Sequence, residues 1–247
     1  FCFFFSYFFP LLTQLKHSLY CITINIYNYR YALAQAFHSG TGVEEDHAEA
    51  LQLFKISATN GIPPASFNVA NMYAAGQGTS MNEESAVKWY KKAADVGDPK
   101  AQFALGSRYC SGRGVKEDWE IGYEYHINSA NAGYAPAQFN VGTHYFMGQG
   151  IEQNFELAAK WFDKASKQNL SQASFNLGQM YLNGRGVNKD YKKGIEYMEH
   201  SSDLGNKDAK QVLIDIKKEN ERKNDDETSE TSSTNIEEGV IIGEDKK

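Results

Sequence analysis

Residues 101–130 read AQFALGSRYCSGRGVKEDWEIGYEYHINSA, and this stretch returns along the chain with substitutions. Its Gly-x-Gly loop begins at residues 40, 76, 112, 148 and 184, so each copy is 36 residues long. A fixed period of this size is typical of one supersecondary unit repeated in tandem, in which each copy buries its apolar face against its neighbours. The sequence therefore predicts a repeat array whose function lies on an extended surface.

The first half of each copy has a constant pattern when the copies are aligned on the first loop glycine. Aromatic residues stand nine and three residues before it, Leu or Val seven before it, and Ala or Gly six before it, as in Phe103, Leu105, Gly106 and Tyr109. These offsets lie on one broad helical face, and the small residue predicts close approach of a second helix. Each copy therefore begins with a helix of about 12 residues, and an alanine replacement of Phe103 is expected to cost about 3–5 kcal/mol if its ring is buried.

The second half of each copy is predicted to be a helix of about 15 residues. A short polar residue six positions after the glycine predicts an N-cap, and the column reads Asp46, Asn82, Asp118, Asn154 and Asp190. A bulky column inside the helix is interpreted as core, and it reads Leu53, Trp89, Tyr125, Trp161 and Tyr197. The helix ends at a residue expected to have a left-handed backbone, in the column Gly61, Gly97, Gly133, Asn169 and Gly205.

The predicted fold is all-α: a right-handed superhelical α-solenoid of five 36-residue helix-pair repeats plus a C-terminal capping helix that carries Ala209. The assembled columns read Ala-x-Phe-x-Leu-Gly-x-x-Tyr, Gly-x-Gly-Val, Asp, Ala-x-x-Trp-Tyr, Ala-Ala and Gly. This unit resembles the Sel1-like repeat (SLR), a relative of the tetratricopeptide repeat, which has a period of 34 and lacks the Gly-x-Gly loop. The first copy departs from the pattern, with Ala34 and Phe37 in the Gly and Tyr positions.

Three segments are expected along the chain: residues 1–28, the repeat solenoid at 29–221 and an acidic disordered tail at 222–247. The sequence starts at Phe1 and is almost entirely aromatic and aliphatic to Leu12. A translated polypyrimidine tract is favoured for this run, and a signal-peptide core or part of a membrane anchor remains open. The tail holds eight acidic and four basic residues, a composition typical of disorder.

Composition gives little indication of catalysis or of nucleic-acid binding. The net charge is −6 and the sequence pI about 5.6, so no nucleic-acid partner is expected. The three cysteines and six histidines show no short metal-ligand spacing, which predicts no cofactor and no metal, although a site assembled in three dimensions stays open. Cys110 is interpreted as a small apolar filler and His126 as a replacement for an aromatic residue. We therefore expect no enzyme activity.

A polar strip on the first helices, outside the core columns, is the predicted peptide-binding surface, on the concave face of the array. Amide side chains both donate and accept, which suits the backbone of an extended peptide, and an arginine and a histidine would add selectivity for an acidic ligand. The alternative is that these side chains bond to neighbouring helices. The candidate residues are Asn68, Asn71, Arg108, Asn140, Thr143, His144, Asn176 and Gln179.

The resemblance implies a binding role, because similar proteins are adaptors in ER-membrane ubiquitin-ligase complexes, activators of fungal chitin synthase and secreted bacterial binders. The predicted function is a non-catalytic scaffold for a protein or peptide partner. Two alternatives are an adaptor in ER-associated degradation, and the regulatory repeats of a larger protein with a kinase domain. The cytoplasm is favoured, with the ER lumen or membrane following if the amino-terminal apolar run is a targeting element.

Overall fold

A computed structural model of the chain describes residues 26–237, with side chains described through Arg222. All regular elements in this part are helices: α1 (26–39), α2 (His47–Thr59), α3 (Pro63–Ala75), α4 (Glu83–Asp95), α5 (Pro99–Ser111), α6 (Trp119–Asn131), α7 (Ala135–Met147), α8 (Phe155–Ser166), α9 (Ser171–Asn183), α10 (Tyr191–Asp203) and α11 (Lys207–Glu237). This confirms the predicted all-α fold of five helix pairs followed by a further helix.

The contacts between helices divide the chain into two compact units, one ending at Gln153 and one beginning at Asn154. In the first unit, α2 to α7 pack each on the next helix along the chain, and α8 to α11 do the same in the second. The second helix of each repeat is 12 or 13 residues long, which is shorter than the predicted length of about 15.

The helix ends follow the local sequence. At each predicted N-cap the side-chain oxygen accepts from backbone N–H groups of the first turn, as Asp46 does from Ala48 and Glu49 at 2.9 Å. The predicted left-handed column also holds: Asn169 has φ 62° and is the one non-glycine residue with positive φ among the described residues. Asparagine replaces glycine here because it tolerates this conformation better than other side chains.

The second glycine of the loop allows one repeat to approach the preceding one. A Cβ atom on Gly78 would lie 2.1 Å from the backbone oxygen of His47, and one on Gly150 would lie 2.3 Å from that of Trp119. Both partners are the first residues of second helices, α2 and α6. The Gly-x-Gly loop therefore fits against the start of the preceding second helix, a contact that any side chain would block.

The core of the first helices is narrower than predicted. The Leu or Val position is fully buried in Val69, Leu105 and Val141, whereas the aromatic positions nine and three before the loop are half-buried in every copy. In the third copy, Tyr109 stacks on Tyr125 with ring centroids 5.7 Å apart. Stacking of this kind buries ring faces and leaves hydroxyl groups near water, so the aromatic positions form the edge of the core.

The buried bulky side chain of the second helix lies one residue later than predicted. The expected core column is half-buried, and the residue after it is buried in every copy: Phe54, Tyr90, His126, Phe162 and Met198. One residue rotates the side chain by about 100° around the helix, which directs this position toward the first helices. Phe54, for example, packs edge-on against Tyr31 with centroids 5.5 Å apart and lies in one cluster with Val69 and Met72.

The final helix, α11, is capped by Asn206, whose side chain accepts from the N–H groups of Asp208 and Ala209. Ala209 is fully buried, as a capping helix requires. The helix runs to Glu237 and therefore continues across the boundary predicted at residue 222. Residues 207–237 contain neither Gly nor Pro and many Lys and Glu, which are good helix formers. The rest of the predicted tail, 238–247, lies outside the described residues.

The predictions for the amino-terminal segment fall on residues 1–25, which lie outside the described residues, and residues 26–28 belong to α1. Across the part of the chain that the structure describes, every helix is too short or too polar to cross a membrane.

Candidate functional site

The predicted binding residues lie on the first helices, as expected, on α3, α5, α7 and α9. His144 is buried and the others are half-buried. In the unit that ends at Gln153, the structure brings several of them together in two cavities at junctions between repeats.

A cavity of about 390 Å³ opens beside Asn68 and Asn71 at the junction of the first and second repeats. Its other lining residues are Gln35, His38, Ser39, Phe54 and Gln77. Asn68 donates to the Tyr31 hydroxyl at 3.2 Å, and Asn71 accepts from the Tyr90 hydroxyl at 2.5 Å. Each bond uses part of an amide that offers two donors and an acceptor, so these residues fix the junction while lining the cavity.

A second cavity, of about 250 Å³, lies at the junction of the third and fourth repeats. Six of its lining positions follow those of the first cavity by 72 residues, two repeat lengths. The equivalent pairs are Gln35 and Ser107, His38 and Cys110, Phe54 and His126, Asn68 and Asn140, Asn71 and Thr143, and Gln77 and Gln149. The repeat therefore builds the same depression twice, with different chemistry.

Arg108 lies at the junction of the second and third repeats, where its guanidinium contacts other residues of the protein. Its Nε donates to Glu83 at 3.2 Å, its Nη1 donates to the backbone oxygen of Ala104 at 3.2 Å, and its guanidinium lies 4.2 Å from the ring centre of Tyr90. Arg113 also pairs with Glu83. An acidic ligand at Arg108 would have to compete with the Glu83 carboxylate.

Asn176 and Gln179 lie on α9, in the unit that begins at Asn154. The backbone oxygen of Gln179 accepts from Asn183 Nδ2 at 2.8 Å, and its side-chain oxygen lies 3.4 Å from the same atom. A cavity of about 250 Å³ in this unit is lined by Tyr181, Lys193, Glu196, Tyr197 and His200. The predicted strip residues of α9 are not among those that line it.

Two buried histidines line the second cavity. His126 on α6 is 2% exposed and His144 on α7 is 3% exposed. His126 Nδ1 lies 2.9 Å from His144 Nε2, and His144 Nδ1 lies 2.8 Å from the backbone oxygen of Gln149. Cys110 Sγ on α5 lies 3.9 Å from His144 Nε2. Three consecutive helices thus bring a thiol and two imidazoles together.

The hydrogen-bond partners assign the protons of this pair. A carbonyl oxygen only accepts, so His144 donates from Nδ1 to Gln149 and carries a lone pair on Nε2. His126 then donates from Nδ1 to His144, and its Nε2 accepts from Asn140 Nδ2 at 3.2 Å. Both rings are satisfied as neutral imidazoles, and among the described residues every buried side-chain nitrogen or oxygen has a partner.

The electrostatics of the cluster favour neutral groups. Burial and, to a smaller extent, the neighbouring His144 lower the pKa of His126 to about 3. Burial also lowers the pKa of His144. Burial and, to a smaller extent, the Glu117 carboxylate raise the pKa of the Cys110 thiol to about 11. At neutral pH the two imidazoles are therefore uncharged, and the thiol holds its proton.

Sequence reasoning interpreted Cys110 as a small apolar filler, His126 as a replacement for an aromatic residue and His144 as a candidate ligand contact, and it did not bring the three together. The sulfur and nitrogen atoms that they offer all lie within 4.8 Å of one another. The expectation of no metal-ligand grouping rested on short spacings, whereas 16 residues separate Cys110 from His126 and 18 separate His126 from His144. The available signal was that His126 and His144 occupy two columns that hold Phe and Met at the first and fourth junctions.

Helix pairs joined by Gly-x-Gly loops and stacked on their neighbours define a helical-repeat protein. The model of the Sel1 repeat matches five consecutive segments, residues 28–62, 63–98, 99–134, 135–170 and 171–206. The chain therefore belongs to the Sel1 repeat family, as the resemblance predicted, and the matched segments are consistent with a helical solenoid. No curated protein matches the chain.

Two solved structures are similar in fold and sequence. One is c5321, a protective antigen present in uropathogenic Escherichia coli strains that displays an SLR fold; it is 30% identical over 74% of this chain and 39% of its own, with a TM-score of 0.73. The other is a Sel1 repeat protein from Oxalobacter formigenes, 28% identical over 77% of this chain and 78% of its own, with a TM-score of 0.71. The present chain thus spans about two fifths of the first relative.

Proposed function

We propose that this protein is a non-catalytic scaffold that holds a partner protein, or an extended peptide of it, against the first helices of its repeats. Sel1 repeats are typically protein–protein interaction modules. The observation that carries the proposal is the repeated cavity, in which Asn68 and Asn140 occupy equivalent positions. Two equivalent depressions along one chain suit a ligand that is itself extended and periodic.

The cavity chemistry supports a peptide ligand. Amide and hydroxyl groups line both depressions, through Asn68 and Asn71 in one and Asn140 and Thr143 in the other. Such groups pair with backbone N–H and C=O groups without requiring a charged ligand. The arrangement therefore selects for extended backbone more than for a particular side chain.

The test is a variant that fills both cavities without touching the core. Gln35 and the side chain of Gln149 are exposed and line the first and second cavity. The double variant Gln35→Arg, Gln149→Arg should lower capture of partner proteins from the native cell by roughly tenfold or more, equivalent to about 1.4 kcal/mol. Its thermal midpoint should stay close to that of the wild type, because both side chains are exposed.

The matched control adds the same charge elsewhere. Gln52 and Gln211 are exposed and lie outside both cavities, so Gln52→Arg, Gln211→Arg should capture partners as the wild type does. Equal capture by the cavity variant and the control would reject the proposed binding surface. Replacing Asn68, Asn140 and Asn176 with alanine separates the structural alternative, which predicts a lower thermal midpoint with unchanged capture per folded molecule.

A further inference from the structure

Cys110, His126 and His144 offer one sulfur and two nitrogen atoms that all lie within 4.8 Å of one another. A tetrahedral zinc site has Zn–N distances of about 2.0–2.1 Å and Zn–S distances of about 2.3 Å, so its ligand atoms lie roughly 3.3–3.6 Å apart. The structure has His126 Nδ1 at 2.9 Å and Cys110 Sγ at 3.9 Å from His144 Nε2. We propose that these three residues bind a transition-metal cation of the zinc class, a role that goes beyond partner binding.

The ligand set decides the class of cation. One thiolate with two imidazoles suits Zn²⁺ or Cu⁺, whereas Mg²⁺ and Ca²⁺ require oxygen ligands, and the cluster offers no carboxylate. Three protein ligands leave one tetrahedral position for water, as zinc sites with an open position do. The adjoining cavity of about 250 Å³ provides room for that water.

Binding requires one proton to move and one to leave. His144 keeps its proton on Nδ1, which donates to the backbone oxygen of Gln149, and offers Nε2 to the metal. The His126 proton moves from Nδ1 to Nε2, which frees Nδ1 as a ligand. The Cys110 thiol loses its proton to solvent and binds as the thiolate. The balance is one metal ion taken up and one proton released, with no change of oxidation state.

The surroundings are suited to hold both imidazoles in these forms. A histidine that binds a metal through one ring nitrogen usually donates the N–H of the other ring nitrogen to a fixed acceptor. His144 already donates to Gln149. For His126, the acceptor is Ser107 Oγ, which lies 3.2 Å from His126 Nε2. The Ser107 hydroxyl itself donates to the backbone oxygen of Phe103 at 3.0 Å, so its oxygen is left to accept. The Asn140 amide can turn its oxygen toward the same nitrogen.

The other junctions show what this position needs for packing alone. The three equivalent sequence positions are His38, Phe54 and Met72 at the first junction, Ala74, Tyr90 and Arg108 at the second, and Phe146, Phe162 and Met180 at the fourth. At the first and fourth junctions, a phenylalanine and a methionine therefore suffice to fill the two positions that His126 and His144 occupy at the third. At the third junction both buried positions hold imidazoles, and a cysteine lies beside them. Packing requires neither the nitrogen atoms nor the sulfur, and these are the ligand atoms that zinc prefers, so their presence together points to a ligand.

The experiment uses the full chain with Cys2→Ser and Cys21→Ser, so that Cys110 is the remaining thiol, and Co²⁺ as the spectroscopic probe. One equivalent of Co²⁺ should give the visible bands of tetrahedral cobalt and a thiolate charge-transfer band, and Zn²⁺ should displace it. Zn²⁺ should also raise the thermal midpoint, because it binds the folded state. Zn²⁺ should protect Cys110 from alkylation, as measured by peptide mass spectrometry.

The matched variant replaces the two ligands with the residues of the first and fourth junctions, His126→Phe with His144→Met. It should fold and lose the cobalt bands and the zinc-dependent rise in midpoint. Cys110→Ala should lose the charge-transfer band. Ser107→Ala should weaken Zn²⁺ binding by roughly 10–100-fold, as loss of an outer partner does. His200→Gln, at a histidine outside the cluster, should bind as the wild type does.

Two outcomes would overturn the proposal. One is the absence of tetrahedral cobalt bands at one equivalent in the folded protein, which would leave a hydrogen-bonded histidine pair. The other is bands that persist in the His126→Phe, His144→Met variant, which would place the metal elsewhere. Neither result would bear on partner capture by the cavity variant, so the two proposals are tested separately.

Discussion

The junction of the first and second repeats and the junction of the third and fourth share one backbone frame and differ in what fills it. Phe54 and Met72 are 2% and 1% exposed and pack in an apolar cluster. At the same two positions, His126 and His144 are equally buried but bond to each other. The repeat thus fixes where side chains lie and leaves their chemistry free, so a site can arise at one junction without altering the fold.

The largest expected effect is on the apolar side of this comparison. Phe54→Ala should lower the free energy of unfolding by about 3–5 kcal/mol, because a fully buried ring is lost and a cavity remains. Phe103→Ala should cost less, since Phe103 is half-buried and its ring meets His126 and Tyr134 at the edge of the core. Urea unfolding of both variants checks the order. Equal losses would contradict the corrected core.

The next effect is on the polar side, in metal-free protein held in chelator. His144→Met alone removes the acceptor of the His126 Nδ1 proton and should cost about 1–3 kcal/mol. Adding His126→Phe removes the stranded donor, so the double variant should be more stable than the single one. A double-mutant cycle measures this coupling. Additive losses would mean that the two imidazoles do not depend on each other.

The smallest expected effect concerns the caps that both regions share. Asp46→Ala and Asp118→Ala should each cost about 0.5–2 kcal/mol. Asp46 should be the costlier, because it bonds two backbone N–H groups and Asp118 bonds one. Thermal unfolding measures both, and the Asn replacements, which keep an acceptor, serve as controls. Zn²⁺ binding should survive Asp118→Ala in the folded protein, since this cap lies outside the ligand set.

Local features were predictable from the sequence because they depend on neighbouring residues. The caps at Asp46 and Asp118 formed where a short acceptor precedes a helix, and Asn169 adopted the left-handed backbone of its glycine column. The buried ring was misplaced by one residue, since bulky residues such as Trp89 and Tyr90 stand side by side in the sequence. Packing between helices decides which of the two is buried, and a single-chain pattern does not contain that rotation.

By itself, the sequence determined the 36-residue period, the helix pairs, their ends and the family. The reason is that the same caps, glycines and apolar positions recur in all five copies, so each local signal is seen several times. The tertiary structure alone decided that Cys110, His126 and His144 meet, and that Asn68 and Asn140 line equivalent cavities. The physical reason is that such contacts join three successive helices. They depend on how far each helix is rotated and how closely it packs, which residue spacing along the chain does not specify.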